Sequence, residues 1–303
     1  SIKKMEKVLV TGGNGFIGSH IVDELIKSSY EVICIDNLSG EANEEFYFND
    51  KASYFKEDIT DFDRIKDKFT GISYVFHLAA ESRIGPTLEN PIKAAKTNFI
   101  GTCNVLQASR DNNVKRVIYS STSSVYGLKN NPPLKESFHR DCINPYAVTK
   151  VAGEDLCKMY YYLWKIPTII LRYFNVYGER HPSTGQYAPV IGIFNKQKKK
   201  NKPLTIVGDG SQKRDFVNVI DVVKANMAAM ETKNEKCFGE IFNVGSGSNI
   251  SIQEIADLIS SNQSYLKDRL GEAKETLADI NKTKDVLGFQ ASLKVQDWIK
   301  ENT

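Results

Sequence analysis

Short apolar runs alternate with amphipathic stretches through the first half of the chain. Lys7–Thr11 (KVLVT), Glu31–Ile35 (EVICI), Tyr74–Leu78, Arg116–Ser120 and Thr168–Arg172 are rich in β-branched residues and apolar at consecutive positions. That is the pattern of strands buried on both faces. Phe16–Lys27, Pro91–Asn112 and Asn144–Lys165 carry helical periodicity between them. Repeated strand–helix–strand units of this kind predict an α/β fold built on a doubly wound parallel sheet. After Tyr177 the pattern weakens. Residues 178–189 read as a loop, Leu204–Val207 and Glu240–Val244 as isolated strands, and Ser251–Ser261 as a helix. The expected division is a sheet domain over residues 1–178 and a smaller mixed α/β domain over 179–303. Part of 215–240, around Val217–Met230, is expected to return and pack on the first domain.

Composition narrows the class. The 303 residues are 41% hydrophobic and 25% charged, as in a globular protein and unlike a collagen, a disordered tail or a disulfide-dense module. Lys+Arg 40 against Asp+Glu 37 gives +3, which offers no reason to expect nucleic acid as partner. The run Lys196–Lys202 reads as a solvated helix end. Five cysteines (34, 103, 142, 157, 237), an odd number with no C-x-x-C pair, suggest reduced thiols and a cytoplasmic location. No apolar stretch approaches the ~18 residues of a membrane span. Ser1-Ile2-Lys3-Lys4 leads directly into the first strand with no signal-peptide pattern, so the Asn-x-Ser/Thr triplets at Asn249, Asn262 and Asn281 carry no weight. No metal site is expected.

The first chemical signal is Thr11-Gly12-Gly13-Asn14-Gly15-Phe16-Ile17-Gly18, between a strand and a helix. Two registers fit it: Gly13-x-Gly15-x-x-Gly18 and Gly12-x-x-Gly15-x-x-Gly18. Either supplies a tight turn, close backbone approach to a pyrophosphate, and close helix–strand packing, the requirements of a dinucleotide-binding Rossmann fold. The following helix N-terminus offers amide donors to phosphate. Asp36 ends the second strand eighteen residues after Gly18. A carboxylate there accepts from ribose hydroxyls and repels a 2′-phosphate, favouring NAD over NADP. The same residue could simply cap the turn Asp36–Gly40.

Tyr146 and Lys150 lie four apart on a predicted helix and so share a face. Isolated Tyr-x-x-x-Lys pairs are common. This one is accompanied by Ser120-Ser121-Thr122-Ser123-Ser124-Val125-Tyr126-Gly127 at the carboxyl end of a strand, where open α/β sheets bind ligands. A nearby ammonium would favour phenolate on Tyr146. The phenolate could take a proton from a substrate hydroxyl as hydride leaves the carbon, with Thr122 orienting that hydroxyl.

These residues resemble the extended short-chain dehydrogenase/reductase family, and most of all its nucleotide-sugar branch of UDP-glucose and UDP-N-acetylglucosamine 4-epimerases. Further shared motifs are His77-Leu78-Ala79-Ala80, Thr97-Asn98, Leu171–Gly178, Gly208-Asp209-Gly210, Arg214-Asp215-Phe216 and Asn243-Val244-Gly245. The resemblance implies NAD as cofactor, held by Gly12, Gly15, Phe16, Ile17, Asp36, Asn37, Ser39, Gly40, Asp58, Ile59, Leu78, Ala79, Ala80, Asn98, Ser120, Tyr146, Lys150 and Tyr173. It implies a UDP-sugar touched by Ser82, Thr122, Tyr146, Asn175, Arg214, Arg269 and Thr276, with Thr122, Tyr146 and Lys150 catalytic. Arg214 also has independent support, since a guanidinium suits a diphosphate. A salt bridge to Asp215 or Asp221 is its alternative use. Relatives commonly pair the helices corresponding to Pro91–Asn112 and Tyr146–Lys165 as a four-helix bundle, which implies a homodimer.

The residues after Thr122 bear on the reaction. Similar dehydratases carry Asp-Glu there, and UDP-glucuronate decarboxylases a glutamate two residues on. Ser123 and Ser124 occupy these places, which disfavours elimination and decarboxylation and leaves 4-epimerisation through a transient 4-keto sugar. The serine-rich turn also resembles UDP-glucuronate 4-epimerases, where threonine often replaces Asn175. A non-catalytic NAD-binding protein is the remaining alternative. Thr276, by its place after Arg269-x-Gly271-Glu272, matches the residue that gates the sugar's C2 group in the family. Its small side chain implies room for an N-acetylhexosamine.

Overall fold

The computed structural model describes residues 5–39, 45–185 and 188–303. Seven strands form one sheet: β1 (Lys7–Thr11), β2 (Glu31–Asp36), β3 (Ser53–Lys56), β4 (Ile72–His77), β5 (Arg116–Thr122), β6 (Thr168–Tyr173) and β7 (Glu240–Val244). Their order is β7-β6-β5-β4-β1-β2-β3, and every pair is parallel. The chain winds outward from β1 through β3, then returns to β4 on the other side of β1. That reversal opens a crevice at the carboxyl ends of the strands.

Four helices cover the sheet: α1 (Phe16–Lys27), α2 (Thr102–Asp111), α3 (Pro145–Trp164) and α4 (Val219–Glu231). Strand alternation sorts the core onto two faces. Val8 and Val10 pack with Ile21 and Leu25 of α1 and Val222 and Met227 of α4. Leu9 turns the other way, to Val105 and Leu106 of α2 and Leu156 and Tyr160 of α3. Burying each such side chain contributes roughly 1.5–3 kcal/mol. The segment expected to return to the sheet is α4.

Three features differ from the sequence reading. Glu240–Val244 is the edge strand of the main sheet, paired to β6. A parallel neighbour arrives through a distant crossover, which a local apolar run cannot reveal. Leu204–Val207 pairs with Gln263–Leu266 and is not isolated either. The helix expected over 91–112 is interrupted by a π-helical segment, Lys96–Gly101. Within it, buried Asn98 donates to Glu81 O and Thr149 Oγ1 and accepts from Glu81 N–H, so it fixes the loop after β4.

A second apolar cluster lies beyond the sheet. It contains Tyr177, Ile191, Phe194, Leu204, Ile206, Phe216, Ile255 and Ile299. All five cysteines are free thiols. Among the described residues no helix is long and apolar enough to cross a membrane.

Candidate active site

A cleft of about 690 Å³ runs along the crevice at the strand ends into the second cluster. The glycine loop forms one wall. Gly12 has φ +72°, and a Cβ there would lie 2.9 Å from Ala79 N. A Cβ on Gly18 would collide with the carbonyl oxygen of Gly12. Gly12, Gly15 and Gly18 all line the cleft. Gly13 does not, and a Cβ there would meet Cys34 Sγ at 2.7 Å. The Gly12-x-x-Gly15-x-x-Gly18 register is therefore the one that faces a ligand. Gly15 is the N-cap of α1 and supplies no side-chain cap, and the first turn holds no acid. The terminal amides are left for an anion. These features fit a dinucleotide pyrophosphate.

Asp36 serves both uses open to it. It lines the cleft, and it accepts from Leu38 N–H (2.9 Å) and Asn14 N–H (3.2 Å). Burial raises its pKa and these two bonds lower it, with burial prevailing. Phe16, Ile17, Asn37, Ser39, Ile59, Leu78, Ala79, Ala80, Ser120 and Tyr173 share the lining. Asp58 and Asn98 do not. Asp58 instead accepts from Thr60 N–H and Oγ1–H in a local turn. Gly40 lies outside the described residues. Tyr173 is fixed by Ser120 Oγ (2.6 Å) and by the donating amide of Asn226 (2.9 Å).

Below the loop a buried chain holds the cofactor floor. Leu78 N–H and Ala79 N–H both donate to Thr11 Oγ1. The Thr11 hydroxyl is left to donate to His77 Nδ1 at 2.6 Å, and His77 Nε2–H to donate to Thr102 Oγ1 at 2.8 Å. Burial, with the charge of Lys150 nearby, pushes the His77 imidazole down to about 3.

Thr122 is the last residue of β5, and its Oγ1 accepts from Ser124 N–H at 3.1 Å. Asn144 caps α3 by accepting from Ala147 N–H at 2.9 Å, and Pro145 occupies the first turn. Such a cap is worth about 1 kcal/mol. It places Tyr146 at the start of the helix, in the lining of the same cleft as Thr122. Lys150, one turn on, is buried and lines the same cleft. Burial lowers its pKa to about 8, against a weaker opposing pull from Cys157 and Glu154. Burial also raises Tyr146, and only the bond with Thr122 opposes it. In the protein alone Tyr146 is a neutral phenol. The phenolate expected of Tyr146 belongs to the state with cofactor bound, where the nicotinamide charge joins that of Lys150.

Ser82, Asn175, Arg214, Arg269 and Thr276 line the far end. Asp215 and Asp221 do not engage Arg214. Asp215 is fully buried and accepts from Ser246 N–H and Oγ–H, Gly247 N–H and Ala278 N–H. Asp221 accepts from Ser292 N–H and Leu293 N–H. Arg214 is left facing the cleft, with Glu272 its carboxylate neighbour. Thr276 Oγ1 accepts from Asp215 N–H at 3.2 Å. The lining residues Thr205, Val207, Gln212 and Leu266 went unrecognised in the sequence because short strands beyond residue 200 carry no chemical signature. Among the described residues no group of three or more His, Cys, Asp or Glu is placed to hold a metal.

Fold and cleft define a dinucleotide-dependent enzyme of the short-chain dehydrogenase/reductase type. The profile of the NAD dependent epimerase/dehydratase family matches residues 8–245, and the chain belongs to that family. It is 39% identical over 267 residues to a UDP-N-acetyl-alpha-D-glucosaminuronate decarboxylase of Bacillus cytotoxicus, covering 83% of this chain and 78% of the relative. A UDP-N-acetylglucosamine 4-epimerase from Methanobrevibacter ruminantium, solved with UDP-N-acetylmuramic acid, superposes with TM-score 0.91 at 35% identity, over 99% of this chain and 97% of that one. A UDP-glucuronic acid 4-epimerase from Bacillus cereus, solved with UDP-glucuronic acid and NAD, gives TM-score 0.87 at 33% identity, over 98% and 97%. The cofactor of the family is NAD.

Proposed function

We propose that the protein interconverts UDP-hexoses at C4, including UDP-N-acetylhexosamines. The observation that carries this reading is that Thr122 at the strand end, Tyr146 and Lys150 line one cleft, with Ser123 and Ser124 and no carboxylic acid following Thr122. Bound NAD supplies the acceptor and donor of hydride. Tyr146 takes the proton of the C4 hydroxyl and returns it, and Thr122 orients that hydroxyl. Lys150, beside the bound nicotinamide charge, favours the phenolate form of Tyr146, so that its proton is already lost before it takes that of the substrate hydroxyl. Arg214 and Arg269 hold the diphosphate. The sugar must turn over between the two transfers, which a tether at the diphosphate permits.

A UDP-glucuronate 4-epimerase is the second reading. It is favoured by Ser123 and Ser124, two hydroxyl-bearing neighbours in the cleft lining that suit a carboxylate acceptor. Turnover of UDP-hexoses deuterated at C4 tests both. Epimerisation conserves mass and retains the label in product, whereas dehydration or decarboxylation loses mass. Complete wash-out of the label excludes the mechanism. Run with UDP-GlcNAc and UDP-glucose, the same assay on Thr276→Tyr should lose the acetylated substrate and keep the plain one. A wild type inactive on UDP-GlcNAc removes the gate.

The proposal includes a homodimer. Val148, Tyr162 and Leu163 on α3 are exposed, as are Ile92, Phe99 and Ile100 on the neighbouring 91–111 helices. These are the helices expected to pair with those of a second copy, and burying such side chains there would favour association. Light scattering that returns a monomer mass excludes it.

A further inference from the structure

Tyr119 has no assigned role, yet it touches Lys150 at both ends. Its ring sits on β5 below the cleft, with Lys150 Nζ 4.5 Å from the ring centroid. Its hydroxyl donates to the backbone carbonyl of the same Lys150 at 3.1 Å. Gly153, one turn further along α3, is what admits it, since a Cβ there would collide with the Tyr119 oxygen. A glycine inside a helix costs roughly 1 kcal/mol relative to alanine, so this contact is retained against a local disadvantage. Tyr119 is fully buried, and its ring is flanked by His77 with centroids 5.8 Å apart.

We propose that Tyr119 is a positioning residue: its ring face holds the buried ammonium of Lys150 while its hydroxyl fixes the helix turn that carries it. The assignment rests on the reading of Lys150 as the charge beside Tyr146. Among the described residues the carboxylate that acts on Lys150 is Glu154, and it is already paired. Glu154, on the same helix, is bound by Arg172 Nε and Nη2 from β6 and by Ser121 Oγ from β5. The other titratable groups around Lys150 are His77 on β4, kept neutral by burial, and Tyr146 and Cys157 on α3, whose pKa values burial raises. The π-face, with its centroid 4.5 Å from Nζ, is therefore a surface that offers negative potential to this buried ammonium.

Three proteins test this: wild type, Tyr119→Phe, and a protein with trifluorophenylalanine at position 119. Fluorination withdraws the ring's negative face with little change of volume, so packing is preserved. Each is paired with its Lys150→Met counterpart, and the difference in unfolding stability is followed from pH 7 to 10.5. That difference reports the ionisation of Lys150 alone and requires neither cofactor nor substrate, so it decides the matter even if the proposed reaction is wrong. Wild type and Tyr119→Phe are expected to begin their change near pH 8, where Lys150 loses its proton. The fluorinated protein is expected to begin about half a unit or more lower. Its kcat should fall several-fold at pH 8 with KM for the UDP-sugar unchanged. An onset that is the same in all three overturns the proposal, as does a uniform loss of stability without a moved onset.

Discussion

Lys150→Met is expected to stop turnover and, at pH 7, to make the protein more stable. Lys150 is 4% exposed, and burial lowers its pKa from 10.5 to about 8. At pH 7 the folded and unfolded chains both carry the ammonium, and only the folded chain bears the cost of burying it. Between pH 8 and 10.5 the unfolded chain keeps a proton that the folded chain has shed, so stability rises with pH across that window. The interval corresponds to about 3 kcal/mol. The variant should therefore exceed wild type by about that much at pH 7, and the advantage should shrink as pH approaches 10.5. Turnover should fall by roughly two to four orders of magnitude, the usual worth of proton-transfer catalysis. Urea unfolding at pH 7 and 9.5, beside a turnover assay, measures both. A variant less stable than wild type at pH 7 would show that Lys150 serves packing and not chemistry.

Arg172→Met should have the largest effect on stability. Arg172 and Glu154 are 1% and 0% exposed and meet through two hydrogen bonds of 2.8 and 2.7 Å. Removing the guanidinium leaves a carboxylate in the core with only Ser121 Oγ–H to satisfy it. Breaking such a pair costs about 3–5 kcal/mol, enough to unfold a marginal domain. Replacing both partners, Arg172→Met with Glu154→Leu, should recover most of that loss, because an apolar pair carries no desolvation penalty. Denaturant unfolding of the two singles and the double decides it. Additive losses would mean that the pair is not coupled. The pair stands behind Thr122 and one turn past Lys150, so the double variant also shows whether the ions are needed for geometry once the fold is secure.

The strands buried on both faces were legible because every position had to be apolar: KVLVT, EVICI, RVIYS and TIILR have no solvent side. β3, a mostly exposed edge strand, has no such signature and went unread. The π-helical segment was invisible because its cause is Asn98 bonding a loop seventeen residues earlier. In the site, glycine spacing and Tyr146-x-x-x-Lys150 were legible because they are set by backbone geometry within one or two turns. Asp58 and Asn98 lie outside the cleft lining, and a motif position alone does not say which way a side chain turns. Tyr119 read only as core. Its one outward sign was Gly153 in the middle of an otherwise strong helix.

Asp215 gathers two distant stretches of chain, at 246–247 and at 278, onto one carboxylate beside Arg214. The wall that carries position 276 is thus riveted from behind, and its main chain is pinned again by Thr276 N–H on Lys213 O and by Asn249 on Thr276 O. An exchange of the side chain at 276 gives up the bond from Asp215 N–H to Thr276 Oγ1 but leaves these carboxylate and main-chain bonds in place. The course of the cleft wall at this position is therefore set by the main chain and by a carboxylate outside the cleft lining, and does not depend on what the side chain at 276 offers to a ligand.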